Sequence, residues 1–164
     1  MAKENLTAER LRELLHYDPD TGVFTWNVRA APHRPSGSLA GSRHYEGYLR
    51  ITIEKREYLA HRLAFLYMEG AWPRNQVDHM DGNRANNRWS NLRDVTPAGN
   101  MQNIRVARPL SSVGLLGVTR QNGRFVARIR VGSDKKHLGR FDTAEEAHAA
   151  YVEAKRRFHP YNTL

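Results

Sequence analysis

Gln76-Val-Asp-His-Met-Asp-Gly-Asn-Arg-Ala-Asn-Asn-Arg-Trp-Ser-Asn-Leu-Arg-Asp-Val-Thr-Pro-Ala-Gly-Asn-Met-Gln-Asn103 is the stretch from which the rest of this chain is read. It starts as a short strand containing Val77 and closes that strand on a carboxylate beside an imidazole, Asp78 and His79. A loop dense in Gly and Asn follows, residues whose side chains bond to their own backbone and tolerate left-handed conformations. Residues 92–95 read as a returning strand. Thr96 before Pro97 is a helix-start signal, an N-cap hydroxyl with proline in the first turn, which sets Asn100 in the first turns of a helix. Strand, loop, strand and helix of this length place Asp78, His79 and Asn100 around one point.

That trio has a chemistry. A hard cation such as Mg²⁺ prefers oxygen ligands, and the Asp78 carboxylate and Asn100 amide oxygen supply two, leaving positions for water and a phosphate oxygen. An imidazole is not a preferred Mg²⁺ ligand, but with a pKa near neutrality His79 suits removal of a proton from an attacking water. The bland reading of an isolated Asp-His pair is a surface turn, and Asn100 with the turn-rich loop outweighs it. Asp81, Asn83, Asn86 and Asn87 read as loop-shaping residues. Arg93 reads equally as a phosphate contact and as a solvated strand arginine. Asn103 reads as a helix-surface residue and His61 as a packing residue at a helix start.

Upstream, the pattern predicts a helix over 7–15, a turn at Asp18-Pro19-Asp20-Thr21-Gly22 and a strand over 23–26. An exposed Pro/Gly/Ser-rich loop spans 32–41, a hairpin turns at Glu54-Lys55, and an apolar helix spans 61–69. Downstream, 106–113 reads as a linker to a second module. There residues 117–121 form a strand, Asn122-Gly123 is a strong hairpin-turn signal, and Arg124-Phe-Val-Ala-Arg-Ile-Arg-Val alternates. Phe125, Ala127, Ile129 and Val131 fall on one face, and Arg124, Val126, Arg128 and Arg130 on the other. A third strand covers 135–141, and Thr143-Ala-Glu-Glu146 is a capping box opening a helix with the stripe Ala144, Ala147, Tyr151, Ala154 and Phe158. One helix covers one face of such a sheet and leaves the arginine face exposed, a shape suited to the major groove.

Charge agrees with this division. The 164 residues hold 26 Lys plus Arg against 17 Asp plus Glu, a net of +9, with no cysteine. Up to Asn103 there are 14 basic and 12 acidic residues, and after it 12 and 5, so the second module carries +7 of the excess. A basic module of that kind favours a polyanion. The absence of cysteine excludes disulfides, zinc ribbons and thiol nucleophiles, and fits a cytoplasmic setting. The longest apolar run, 63–68, is too short to span a bilayer, and the first residues lead into a polar amphipathic segment rather than a signal core, so no membrane is expected.

The stretch 76–103, with Asp-His-x-Asp-Gly, Asn-Asn, Ser-Asn-Leu-Arg and a later Asn, resembles the HNH endonuclease motif of free-standing and intron-encoded homing enzymes of phages. His61-Arg62-Leu-Ala-Phe resembles the helix that precedes it in that family. The resemblance implies a ββα-metal module with its core at about 74–105. It makes His79 the general base, Asp78 and Asn100 the ligands of one divalent metal (Mg²⁺, with Mn²⁺ as substitute), and Asn91 the residue that braces the loop. Residues 114–159 are similar to the APETALA/ERF-type DNA-binding domain, on Gly117-Val118, the strand from Gly123 and His137-Leu-Gly-Arg-Phe-Asp-Thr-Ala-Glu-Glu-Ala. Thr119 and Phe125 stand where that family has arginine and tryptophan, so base preference does not transfer. The resemblance implies DNA contacts at Thr119, Arg124, Arg128 and Arg130, with Arg120, His137 and Arg140 beside them; Arg93, in the first module, is a further candidate from the reading of its strand alone.

The expectation is therefore an α+β protein. Residues 1–105 form an N-terminal region with an HNH module, 106–113 a linker, and 114–164 a three-stranded antiparallel sheet packed on one helix. Its expected activity is metal-dependent hydrolysis of phosphodiesters in double-stranded DNA, with no small-molecule cofactor, as monomer or homodimer, in a bacterial or phage-infected cell. The rivals are a non-catalytic DNA-binding regulator on a nuclease scaffold and a basic RNA-binding protein, the latter lacking the usual aromatic platform.

Overall fold

Thr7 opens the first helix as its N-cap, its hydroxyl oxygen accepting from the backbone N–H of Arg10 at 3.2 Å. The helix, α1 (Ala8–Leu14), runs without a break into strand β1 (Leu15–Asp18), which pairs antiparallel with β2 (Val23–Trp26). β1 was not expected, because Leu15 continues the leucine pattern of the helix, whereas the alternation of buried Leu15 and Tyr17 with exposed His16 belongs to a strand. The computed structural model describes residues 6–32, 34–107 and 111–164. These fall into two compact units that divide between Thr96 and Pro97.

In the first unit, β3 (Ser42–Arg43), β4 (Leu49–Ile53) and β5 (Arg56–Leu59) form an antiparallel sheet in that order. Its β4–β5 hairpin turns at Glu54 and Lys55, both at positive φ, where the sequence places the turn. The expected open loop at 32–41 is partly tied, by a bridge from Leu39 to Thr25, and its His33 lies outside the described residues. Helix α2 (Ala60–Glu69) follows β5 directly. β6 (Gln76–His79) and β7 (Leu92–Val95) then pair antiparallel, with a single 3₁₀ turn at Trp89–Asn91 leading into β7. One apolar cluster gathers Leu11, Leu15, Tyr17, Phe24, Ile51 and Leu63 from all these layers, and each buried side chain of that size contributes roughly 1.5–3 kcal/mol. Phe65 on α2 meets Trp89 edge-on at 4.8 Å, which seats the helix against the loop that follows His79.

The second unit holds α3 (Pro97–Gln102), the antiparallel strands β8 (Val118–Gln121), β9 (Arg124–Val131) and β10 (Asp134–Phe141) in the order β10-β9-β8, and helix α4 (Ala144–Phe158). Both halves of the Thr143–Glu146 capping box form. Val118, Ala127 and Ala147 pack together, with Phe125, Leu138 and Phe141 against them, joining α4 to the sheet. Gly117 is required by that packing: at φ +73 its added Cβ would lie 1.9 Å from the Tyr151 ring. Lys155 Nζ donates to Ile104 O, and Thr163 Oγ1 pairs with Asn103 Oδ1 at 2.5 Å, tying the residues after α3 to α4 and the chain end. Residues 108–110 of the expected linker lie outside the described residues. Among the described residues no helix is long and apolar enough to cross a membrane.

Candidate active site

His79 sits at the end of β6, where the strand gives way to the loop, and it is 5% exposed. The antiparallel register sets Asp78 opposite Arg93 on β7, and Arg93 Nε and Nη2 donate to Asp78 Oδ2 at 2.9 and 2.7 Å. Arg93 is thus an ion-pair partner of the candidate metal ligand. Both side chains are largely buried, where such a forked, charge-assisted pair fixes orientation.

Asn91 braces the loop from inside. Its Oδ1 accepts from the backbone N–H of Asp81 at 3.0 Å, and its Nδ2 donates to Asp81 Oδ1 at 2.9 Å and to Asn86 O at 2.8 Å. The backbone adds Met80 N–H to Asn91 O at 2.9 Å and Gly82 N–H to His79 O at 2.9 Å. Asp81 also accepts from Asn83 N–H at 2.8 Å and from Asn86 Nδ2 at 2.6 Å, which is the loop-shaping task the sequence suggests for these residues.

Asn87 does more than shape the loop. It is 1% exposed, and its Oδ1 lies 3.2 Å from His79 Nε2. The sequence marks it as half of the Asn86-Asn87 pair of the motif but not as a partner of His79, since that contact depends on how the loop folds back over β6. His61, the second residue of α2, meets the His79 ring edge-on at 5.1 Å, and the Tyr48 ring lies 5.2 Å from His61 and 6.0 Å from His79. Burial pushes His61 down to about 3, with the neighbouring His79 and Arg62 adding to the shift, so His61 packs as a neutral ring. Burial likewise lowers the pKa of His79 against the opposing pull of Asn87, Asp81 and Asp78. A lowered pKa keeps the imidazole neutral, and so able to accept a proton, at neutral pH.

Asn100 is the fourth residue of α3, half-buried, and belongs to the second unit. Asn103 departs from its expected place on a helix surface: it lies just past α3, buried, with its amide oxygen held by Thr163. Among the described residues no cluster of three His, Cys, Asp or Glu is placed to hold a metal. The donors the sequence offers are one carboxylate, Asp78 in the first unit, and one amide oxygen, Asn100 in the second, and oxygen ligands of this kind suit a hard cation that keeps several of its waters.

In the second unit the strand registers pair Thr119 with Val126, Val126 with Arg140, Arg128 with His137, Arg130 with Lys135 and Gln121 with Arg124. Directly opposed residues share a face, so Thr119, Arg124, Arg128, Arg130, His137 and Arg140 stand together, and Lys135 joins them. Val126 lies in the same row yet is fully buried, so that face is not uniformly open. Arg124 pairs with Asp142, and Arg128 Nη2 donates to Gln121 Oε1 at 3.3 Å. Arg120 is placed apart from them: it opposes Phe125 on the other face, its guanidinium 5.8 Å from that ring.

The family model described as HNH endonuclease matches residues 58–102, from β5 through α2, β6, the braced loop and β7 to the end of α3. The solved structure of DNA binding and cleavage by the HNH homing endonuclease I-HmuI is similar at 28% identity and a TM-score of 0.43, over 54% of this chain and 49% of that one. The chain thus spans about half the length of that protein. No curated protein matches the chain. The matched segment begins just before the helix that carries His61 and ends two residues after Asn100, enclosing Asp78, His79 and Asn91, so it is over residues 58–102 that this chain is similar to HNH endonucleases.

Proposed function

We propose that this protein is a metal-dependent DNA endonuclease of homing type. The observation that carries the reading is the position of His79, a neutral imidazole buried in a loop braced by Asn91, beside Asp78 and inside the segment that matches HNH endonucleases. His79 takes a proton from water as that water's oxygen bonds to phosphorus. The bond from phosphorus to the 3′ oxygen breaks, and that oxygen leaves with a proton from solvent, giving a 5′-phosphate and a 3′-hydroxyl. Asp78 and Asn100 are the residues to hold one divalent ion, Mg²⁺ or Mn²⁺. When bound, such an ion stabilises charge on the phosphate and the departing oxygen. Arg93 fixes the Asp78 carboxylate, and Asn91 holds the loop without touching the reacting atoms.

Residues 114–164, read as an APETALA/ERF-like domain, grip double-stranded DNA through the row of Thr119, Arg124, Arg128, Arg130, His137 and Arg140. Cation-bearing side chains gathered on one sheet face support that assignment. Supercoiled plasmid incubated with the protein and Mg²⁺ or Mn²⁺ tests the reading. The wild type nicks or linearises it, whereas His79→Ala loses at least about 10²-fold in rate with DNA affinity unchanged. A wild type that binds the plasmid and leaves it intact would mark a DNA-binding regulator instead.

A further inference from the structure

We infer that Asn87 is a positioning residue for this reaction, and that the β1–β2 hairpin, which lies outside the segment matched to HNH endonucleases, holds it in place. The inference rests on the endonuclease reading and says which atom of His79 acts. Asn87 Nδ2 faces Ala85 O at 3.4 Å, which turns Oδ1 toward His79 Nε2 at 3.2 Å. An amide oxygen only accepts, so this bond requires a proton on Nε2. A neutral imidazole has one such proton, and its lone pair therefore sits on Nδ1. Nδ1 is the atom that takes the proton from water. The opposite tautomer sets a lone pair against the Asn87 oxygen and presents an N–H, which accepts nothing, to the water.

The grip on Asn87 comes from far away in the chain. Tyr17 Oη donates to Asn87 O at 2.7 Å, and Trp89 N–H donates to Pro19 O at 2.9 Å, so the hairpin holds the chain at Asn87 and again two residues later. Tyr17 is itself locked, fully buried and stacked on Phe24 at 4.6 Å. Gly22 makes the approach possible: at φ +74, an added Cβ would lie 2.4 Å from both Arg88 N and Asn87 C. Together β1, the turn and β2 fit against the backbone that carries Asn87.

The test reads the tautomer and the rate separately, on the full chain. Long-range ¹⁵N–¹H spectra of ¹⁵N-histidine protein, with His79 assigned by its loss in His79→Ala, report which ring nitrogen carries hydrogen in the metal-free protein. The wild type and Asn87→Asp, which keeps an acceptor oxygen, show the Nε2–H form. Asn87→Leu, similar in size with no acceptor, shows a large Nδ1–H fraction. Its kcat for plasmid nicking falls on the order of 10- to 100-fold with KM for DNA unchanged, and Asn87→Asp restores kcat to within a few-fold. Tyr17→Phe gives a smaller loss of the same kind. An Nδ1–H wild type overturns the proposal even if Asn87→Leu does not fold, and so does an Asn87→Leu protein with wild-type tautomer and kcat. A wild type with the Nε2–H form that cleaves no DNA sinks the endonuclease reading instead, so the two failures are distinguishable.

Discussion

Between Met80 and Asn91 the chain is held by side chains bonding to backbone, with Asn91 alone satisfying three groups, whereas between Val118 and Phe141 it is held by a backbone ladder and two two-residue turns. In the loop the polar residues face inward and are the structure: Asn87 and Asn91 are both buried. In the sheet most of the polar residues face outward in one row and leave the packing to Val118, Ala127 and Ala147. Polar side chains turned inward fix a reacting group in one orientation. Turned outward in a row, they are available to a partner. Each region should therefore fail in its own way, and single substitutions can separate the two.

The largest effect is expected at Gly117→Ala, where a methyl group enters the space of the Tyr151 ring from a left-handed backbone position. Overpacking together with that backbone penalty predicts about 2–4 kcal/mol of destabilisation, read by denaturant melting, with lost DNA affinity. Asn91→Ala comes next. It strands the Asp81 N–H, the Asn86 carbonyl and one bond to the Asp81 carboxylate, for about 1–3 kcal/mol. Cleavage should fall steeply while affinity for DNA holds. Equal losses of affinity in the two variants would erase the contrast between loop and sheet.

How much of this was legible beforehand follows the same line. The capping box at Thr143 and Glu146, the turn at Asn122-Gly123 and the turn at Glu54-Lys55 are local devices, and all three stand where the sequence puts them. Asp78 and His79 were legible as a pair, for a short motif announces itself. The role of Asn87 was not, because it depends on a hydrogen bond to Tyr17, 70 positions away, and on a glycine at 22 that lets two backbones meet. Arg93 was half legible: a strand returning through a loop of this length must set some residue opposite Asp78, but the register that selects Arg93 is fixed by the folded loop. Arg120 stands apart from the other arginines because alternation along β8 carries it to the face opposite its neighbour Thr119.

Arg128 and Arg120 sharpen the picture of the sheet with a smaller effect. Arg128→Ala removes one cation from the row and should weaken duplex binding by about 1 kcal/mol, lowering the slope of log affinity against log salt by about 1. Arg120→Ala, from the opposite face, should leave both unchanged. Equal effects from the two would mean that net charge, rather than one face of the sheet, holds the DNA.

The smallest effect concerns a single buried cation on the helix behind that sheet. Lys155 is almost wholly buried, its ammonium held by Ile104 O, and burial pushes its pKa down to about 8, with Arg105 adding repulsion. Below that pH both the folded and the unfolded chain keep the proton, and the folded state carries the burden of a desolvated charge. From about 8 up to the ordinary lysine value near 10.4, the folded chain sheds the proton while the unfolded chain retains it, so the unfolded state binds more protons and stability rises with pH. Lys155→Met has no proton to lose. Melting both proteins across that window should show the wild type gaining on the variant as the pH climbs, by about a few degrees in Tm. A constant gap between the two curves would mean that Ile104 O holds a lysine whose charge is as comfortable folded as unfolded, and that burial costs the tie between α4 and the end of α3 nothing.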